Sequence, residues 1–310
     1  MPLNRSNACW LALACITGCY ITFWLLLLGA TATYSTPDSW LQVLQSPEIR
    51  HATFLSLVSC TAAAGFALLL AIPVGYFMSR RNFRFKALID AALDIPIILP
   101  PLVVGLCLLI FFQTWLGKVI ENGFDVNLYF IEVPESWRPE PQAKRIGVDE
   151  FSQWKDEFTL SDETRRHTLH IPGLPLTYTI AGVVLAQFVV AASFAIRTMR
   201  GTFDHLSSRP EEVALTLGCT RFQAMWHVAL PAARRGMVAA FCIAWARSLG
   251  EFGPILVFAG ATRMKTEVLP TTVWLELSVG NLEAAVAVSL LMVVMAVIVL
   301  IVVRTTGEKP

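Results

Sequence analysis

Charge is scarce in this chain. Asp, Glu, Lys and Arg make up 15% of its 310 residues, hydrophobic types make up 55%, and mean hydropathy is +0.59, which excludes a water-soluble domain of this size. The net charge of +1 averages over an asymmetry described below and gives no indication of a nucleic-acid partner. No G-x-x-x-x-G-K-[ST] occurs, so the polypeptide has no P-loop to cradle nucleotide phosphates. The long apolar runs contain no His, and no nucleophile with its base, or metal set, stands at bilayer depth. A membrane-embedded hydrolase would need one of these. An ATP-independent secondary transporter would be expected to carry an inverted repeat, and none is detected.

What is present is apolar length. Six stretches reach or approach the roughly 20 residues needed to cross about 30 Å of hydrocarbon: 11–30, 54–77, 89–112, 178–196, 237–258 and 284–303. Lys and Arg in the connections set the orientation. With the N-terminus inside, the cytoplasmic pieces collect Arg5, then Arg80, Arg81, Arg84 and Lys86, then Arg197, Arg200, Arg209, Arg221, Arg234 and Arg235, then Arg304 and Lys309. The two short outer loops hold only Arg50, Arg263 and Lys265. The expected architecture is an all-α, multi-pass protein of the cytoplasmic (inner) membrane with six spans and both termini in the cytoplasm. Ala30-Thr31-Ala32 after Arg5 and an apolar run resembles a signal-peptide cleavage site, but a run of about 20 residues exceeds the usual 7–15, so the first span is read as retained. All seven cysteines fall in spans or on the cytoplasmic side, which implies neither a disulfide framework nor a metal site.

The organisation reads as residues 1–112 with three spans, an extracytoplasmic insertion at 113–177, and residues 178–310 with three more spans and a cytoplasmic loop at 197–236. Trp115, Trp137, Trp154 and several prolines give the insertion the composition of an ordered segment rather than a linker. Its His167 and His170 are too few for a metal site without a third ligand.

The loop contains EEVALTLGCTRFQAMWHVALP, residues 211–231. Ser208 with Glu211 has capping-box spacing, Glu211 and Glu212 favour the start of a helix, and Gly218 ends it. Thr220 with Gln223 repeats the spacing, and Pro231 marks the turn into the fifth span. Two short helices should form a knob, with Val213, Leu217, Phe222, Met225 and Trp226 as an apolar contact surface. A loop lying on lipid headgroups is the alternative.

Glu212, Ala214, Gly218, Val228, Leu230 and Pro231 follow the pattern Glu-Ala-Ala, three residues, Gly, nine residues, aliphatic, any, Leu-Pro, with Val213 in place of the first Ala. This resembles the EAA loop of binding-protein-dependent ABC importer permeases. The resemblance implies that Glu211, Glu212, Ala214, Gly218, Phe222, Leu230 and Pro231 couple the chain to an ATPase.

Inside the bilayer, the third span carries Pro96, Pro100 and Pro101, whose freed carbonyls are tolerated only in a packed interface or a wet cavity. A pathway lining and a simple kink both fit. The fifth span places Arg247 and Glu251 four residues apart, either as an intrahelical ion pair or as part of a gate, and Gly250 and Gly253 would admit another helix closely. The strings ALIDAALDIPIILPPLVVG and AWARSLGEFG resemble the molybdate-type permease of the molybdate/sulfate/tungstate branch, while KTEV at 265–268 is equally similar to sulfate permeases. The resemblance implies a type I ABC importer permease fold, a translocation path or gate at Pro100, Pro101, Arg247, Gly250, Glu251 and Gly253, and no cofactor in this chain. It also implies a second copy of the chain, a cytoplasmic ABC ATPase dimer using ATP and Mg, and an extracytoplasmic oxyanion-binding protein. Molybdate is the expected cargo, with sulfate/thiosulfate and tungstate as alternatives.

Overall fold

Apolar runs punctuated by few caps become long helices. In the computed structural model, which describes residues 5–34, 45–127 and 168–307, these are α1 (Arg5–Thr33) and α2 (Pro47–Arg80). There follow α3 (Lys86–Ile98), α4 (Pro101–Gln113), α5 (Trp115–Asn122), the strands β1 (Gly123–Asn127) and β2 (Thr168–Pro172), and α6 (Ile180–His205). Next come α7 (Arg209–Thr216) and α8 (Arg221–Ala224), which runs through a π-helical turn at Met225–Ala229 into α9 (Leu230–Ala232). The chain closes with α10 (Arg234–Leu249), α11 (Gly253–Phe258), α12 (Leu269–Val279) and α13 (Leu282–Gly307). It divides into two units, residues 1–111 with 176–310, and residues 112–175.

The first unit is built on α2, α6 and α10. Ala64, Ala67 and Ala71 of α2, Ala191 and Ala195 of α6, and Ala240 and Ala244 of α10 are buried in one cluster with Trp245 and Phe203. Lipid is as apolar as these side chains, so close backbone approach rather than hydrophobic burial holds such helices together. A Cβ at Gly75 would lie 2.9 Å from the backbone N of Arg200, so α2 and α6 touch there without room for a side chain. Local signals start each helix: Ser46 Oγ accepts from Ile49 N (3.4 Å) ahead of Pro47, and Thr179 Oγ1 accepts from Gly182 N (3.2 Å).

Among the described residues, four helices are long and apolar enough to cross a membrane: Leu13–Thr33, Pro47–Arg80, Ile180–His205 and Leu282–Ile301. The number reaches six when each of two bent pairs counts as one span. These are α3 with α4, bent by 110°, and Arg221–Ala232 with Arg234–Leu249, bent by 76°.

Two expected spans are not continuous rods. The third breaks at Leu99, which is extended (φ −66°, ψ 139°) because the following Pro100 disfavours helical geometry before it. Pro101 then opens α4, which is bent by 110° from α3. The fifth breaks at Gly250–Phe252 between α10 and α11. A further helix, α12, fills the loop after it, started by Pro270 and ended by Gly280 in the left-handed region (φ +86°).

In the second unit, Thr114 Oγ1 caps α5 by accepting from Gly117 N (3.5 Å). β1 and β2 pair antiparallel from Gly123 opposite Pro172 to Asn127 opposite Thr168. An all-α description thus holds for the first unit, and the insertion adds a two-stranded ladder. The interior of the insertion, with Trp137, Trp154 and His167, and the side chain of His170 lie outside the described residues.

Candidate coupling knob and helix crossing

Residues 208–232 form the knob. α7 carries Pro210 in its first turn with Glu211 and Glu212 after it. Ser208 does not cap it: its backbone is helical (φ −75°, ψ −15°), and its hydroxyl instead donates to Glu212 Oε1 at 2.7 Å. Glu211 does not reach back to complete a box either, because it points inward.

Glu211 is 7% exposed. Its Oε1 accepts from Arg80 Nη2 (2.7 Å) and Nε (3.1 Å), and its Oε2 accepts from Tyr76 Oη (2.8 Å). Arg80 spends its remaining donors on the end of α6, with Nη1 to Phe203 O (2.9 Å) and Nη2 to Leu206 O (3.1 Å). Charge-assisted bonds of this kind, two from one guanidinium onto a single carboxylate oxygen, are stronger than neutral hydrogen bonds. The carboxylate is thus matched to a partner 131 residues away, which local capping rules could not reveal.

Gly218 ends the first helix as its position suggested. At φ +93° it occupies the left-handed region, which lets Cys219 N reach Ala214 O at 3.1 Å. The Thr220–Gln223 capping box is formed, with Gln223 N donating to Thr220 Oγ1 (3.3 Å) and Thr220 N to Gln223 Oε1 (2.8 Å). Leu230 and Pro231 lie in α9, where the chain bends into α10.

The two faces of the knob differ. Ala214, Ala224, Met225 and Ala229 are buried, so Met225 belongs to the inner face rather than to the contact surface expected of it. Val213, Leu217, Phe222 and Trp226 are each more than half exposed, and Phe222 stacks on Trp226 (centroids 6.2 Å, interplanar 18°). Glu212 is exposed among them. Preorganised apolar side chains around a carboxylate are what a protein contact requires.

The second constellation lies where the two broken spans meet. A Cβ on Gly253 would stand 2.9 Å from Leu102 N and 3.1 Å from Pro101 C and Cβ. A Cβ on Gly105 would stand 2.8 Å from Pro254 Cα. Pro101 and Gly253, distant in sequence, thus approach each other closely. Gly250 makes no such approach, since its Cβ would meet only its own turn at 3.8 Å.

Glu251, two residues past the end of α10, is 1% exposed. Its Oε1 lies 2.8 Å from Arg247 Nη2, an ion pair outside hydrogen-bond geometry. The Arg247 guanidinium lies over the Phe194 ring (5.6 Å to centroid) and lines an apolar cavity of about 370 Å³ with Phe194, Cys242, Ile243, Ala246 and Leu300. α3, the first arm of its broken span, is fastened to α6 by ion pairs Asp90–Arg200 and Asp94–Arg197 (3.9 Å).

At the start of α2, Arg263 pairs with Glu48 and with Glu276 Oε1 (2.9 Å). Glu48 and Arg80 are separated by 32 helical residues, about 50 Å at 1.5 Å per residue, so this cluster and the knob occupy opposite ends of α2. Glu267, in the adjoining loop, is buried, and among the described residues neither carboxylate oxygen has a hydrogen-bond partner. The nearby Thr272 hydroxyl donates to Val268 O instead (3.1 Å). Burial pushes the Glu267 pKa above the usual carboxylate range, against the pull of Arg263. Among the described residues no group of three or more His, Cys, Asp or Glu could hold a metal ion.

Comparison with known proteins places this arrangement. The chain is 27% identical over 295 residues to a probable molybdenum ABC transporter permease protein of Haloferax volcanii, covering 95% of this chain and 89% of the relative. It is 26% identical over 288 residues to the sulfate transport system permease protein CysT of Escherichia coli, covering 92% and 87%. The fold resembles a chain of a bacterial alginate ABC transporter solved in complex with an alginate pentasaccharide-bound periplasmic protein, with TM-score 0.61, 14% identity, and 96% and 94% of the two chains covered. The family model described as binding-protein-dependent transport system inner membrane component matches residues 71–306, well over half of the sequence and all of the knob and the crossing, and the chain belongs to that family.

Proposed function

We propose that this ABC importer permease moves a small tetrahedral oxyanion, molybdate first among them, into the cytoplasm. The knob carries the reading. Its inner face is fastened to the bundle, while its outer face offers Val213, Leu217, Phe222, Trp226 and Glu212 to a cytoplasmic ATPase. ATP with Mg is bound and hydrolysed by that partner, and a second copy of this chain completes the path. Closure of the ATPase pair moves the knobs, and the spans exchange inward-open and outward-open states. Such coupling requires that the knob bind the ATPase differently in the two states.

The crossing of Pro101 with Gly253, flanked by Arg247 and Glu251, is assigned to the gate. With one guanidinium already paired to a carboxylate, the path offers a dianion no deep trap. Capture is left to the extracytoplasmic binding protein, and release into the cell stays fast. The permease alone should therefore bind molybdate weakly in calorimetry, and tight binding without the binding protein would contradict this division of labour.

Molybdate is favoured by the DIPIILPP segment at 94–101 and by the name of the Haloferax relative. Sulfate is the second reading, favoured by the KTEV segment and the Escherichia coli relative. Uptake of radiolabelled molybdate in competition with tungstate and sulfate decides between them. Displacement by excess tungstate but not by sulfate is expected, and preferential displacement by sulfate would overturn the molybdate assignment.

A further inference from the structure

The two adjacent carboxylates of the knob face opposite ways, and the chemistry around each differs. Glu212 is exposed, with Ser208 as its partner. Glu211 is buried against Arg80 and Tyr76, both on the last turns of α2. The same Arg80 guanidinium binds the carbonyls of Phe203 and Leu206 at the end of α6. The Tyr76 ring meets the Phe203 ring edge to face (5.4 Å, 84°), closing the cluster from the apolar side. One cation therefore joins the C-terminal end of α2, the C-terminal end of α6 and the N-terminal turn of α7. Both helix-end placements are favourable, with the guanidinium at the negative end of the α6 dipole and the carboxylate at the positive end of α7.

We infer that Glu211 is a positioning residue that transmits force rather than a contact for the ATPase: it locks the first knob helix to α2 and α6, so that displacement of the knob turns both helices as one body. This rests on the coupling reading above and divides the roles of its two carboxylates. Along the chain, the rest of the knob reaches α10 through the π-helical turn and the bend of 76°, with Ala229 packed into the core cluster, whereas Glu211 ties α7 to α2 and α6 by a buried ion pair. α2 and α6 also share the most extensive contact of any helix pair among the described residues, with Ala64, Ala67, Ala191 and Ala195 buried in the same cluster. A push delivered at Glu211 enters the rigid part of the molecule directly. From there α6 holds α3 through Arg200 and Arg197, which links the joint to the first arm of the broken third span.

The test uses the permease assembled with its ATPase and binding protein in proteoliposomes, with radiolabelled molybdate as the probe. Oxyanion uptake and ATP hydrolysis are measured on the same vesicles. Glu211→Gln keeps the shape of the side chain and removes the charge. The number of ATP molecules consumed per oxyanion should rise about tenfold, within the range of typical coupling free energies. Tyr76→Phe, which removes one hydrogen bond and leaves the ion pair, should raise the ratio by a smaller factor. Glu212→Gln should instead weaken retention of the ATPase on the purified permease. A merely structural role for Glu211 would lower uptake and hydrolysis together and leave their ratio unchanged, and that result overturns the inference. Loss of ATPase retention in Glu211→Gln with an unchanged ratio in Tyr76→Phe also overturns it, since Glu211 would then be a contact. Should Glu211→Gln fail to assemble, the ratio measured for Tyr76→Phe decides alone. Failure of the wild-type permease to retain any ATPase would refute the coupling reading itself and is recognised by its occurrence before any substitution.

Discussion

Alanine at Gly253 places a methyl where the neighbouring broken helix already stands. The new carbon would lie 2.9 Å from Leu102 N and 3.1 Å from Pro101 C and Cβ. None of these atoms is the far end of a flexible side chain, so relief requires α4 or α11 to shift by several tenths of an ångström. Overpacking of this sort costs about 1–3 kcal/mol. Gly105→Ala loads the same contact from the other side, 2.8 Å from Pro254 Cα. Because both substitutions push the same two backbones apart, their double mutant should cost less than the sum of the singles. Gly250→Ala is the internal control, with φ −85° and its nearest neighbour at 3.8 Å, and it should be close to neutral. Thermal unfolding of purified permease in detergent, read beside molybdate uptake in vesicles, makes the comparison. Equal melting temperatures and equal uptake for Gly253→Ala and Gly250→Ala would refute the crossing as a tight contact and, with it, the assignment of the gate.

Leu217→Asp and Phe222→Asp, at exposed positions of the knob, should abolish co-purification with the ATPase and uptake while membrane insertion, read by fractionation, stays at the wild-type level. Arg247→Ala leaves the Glu251 carboxylate buried and uncompensated at a cost of about 3 kcal/mol, taken at the low end because Arg247 is partly exposed, whereas Glu251→Gln removes the charge that needs pairing and should cost less in the same melts. Glu267 has a raised pKa in the folded protein, so the folded state holds its proton longer than the unfolded chain and stability is lost as pH rises from about 4 through the raised value. Glu267→Gln should then melt higher than wild type at pH 7, with the gap closing toward pH 4 in a series of melts, and a constant gap would contradict the burial account.

Signals carried within a few residues were legible in the sequence. Hydropathy marked the apolar helices, Gly218 marked a left-handed position, and Thr220 with Gln223 marked a cap whose partners are only three residues apart. Signals settled by distant partners were not. Ser208 and Glu211 satisfy the spacing of a capping box, but Arg80 offers Glu211 two charge-assisted bonds, which outweigh a bond to a backbone N–H exposed to water. Hydropathy also cannot distinguish a continuous rod from a broken one. Residues 89–112 are apolar apart from Asp90 and Asp94, and only the Pro100–Pro101 pair, with Leu99 forced extended, showed where the chain turns. At Gly250–Phe252 the break had weaker punctuation, although Pro254 opening a new helix was there to be read. α12 was likewise marked at both ends, by Pro270 and Gly280, but it falls between two apolar spans and contributes no long run of its own.

Cys219 sits at the exposed tip between the two knob helices and provides a native reporter for the central claim. Labelling with a membrane-impermeant maleimide, with Cys219→Ser as the background control, should modify it in inside-out vesicles but not in right-side-out ones, and added ATPase should protect it. Modification from the outer side, or labelling indifferent to the ATPase, would contradict the account.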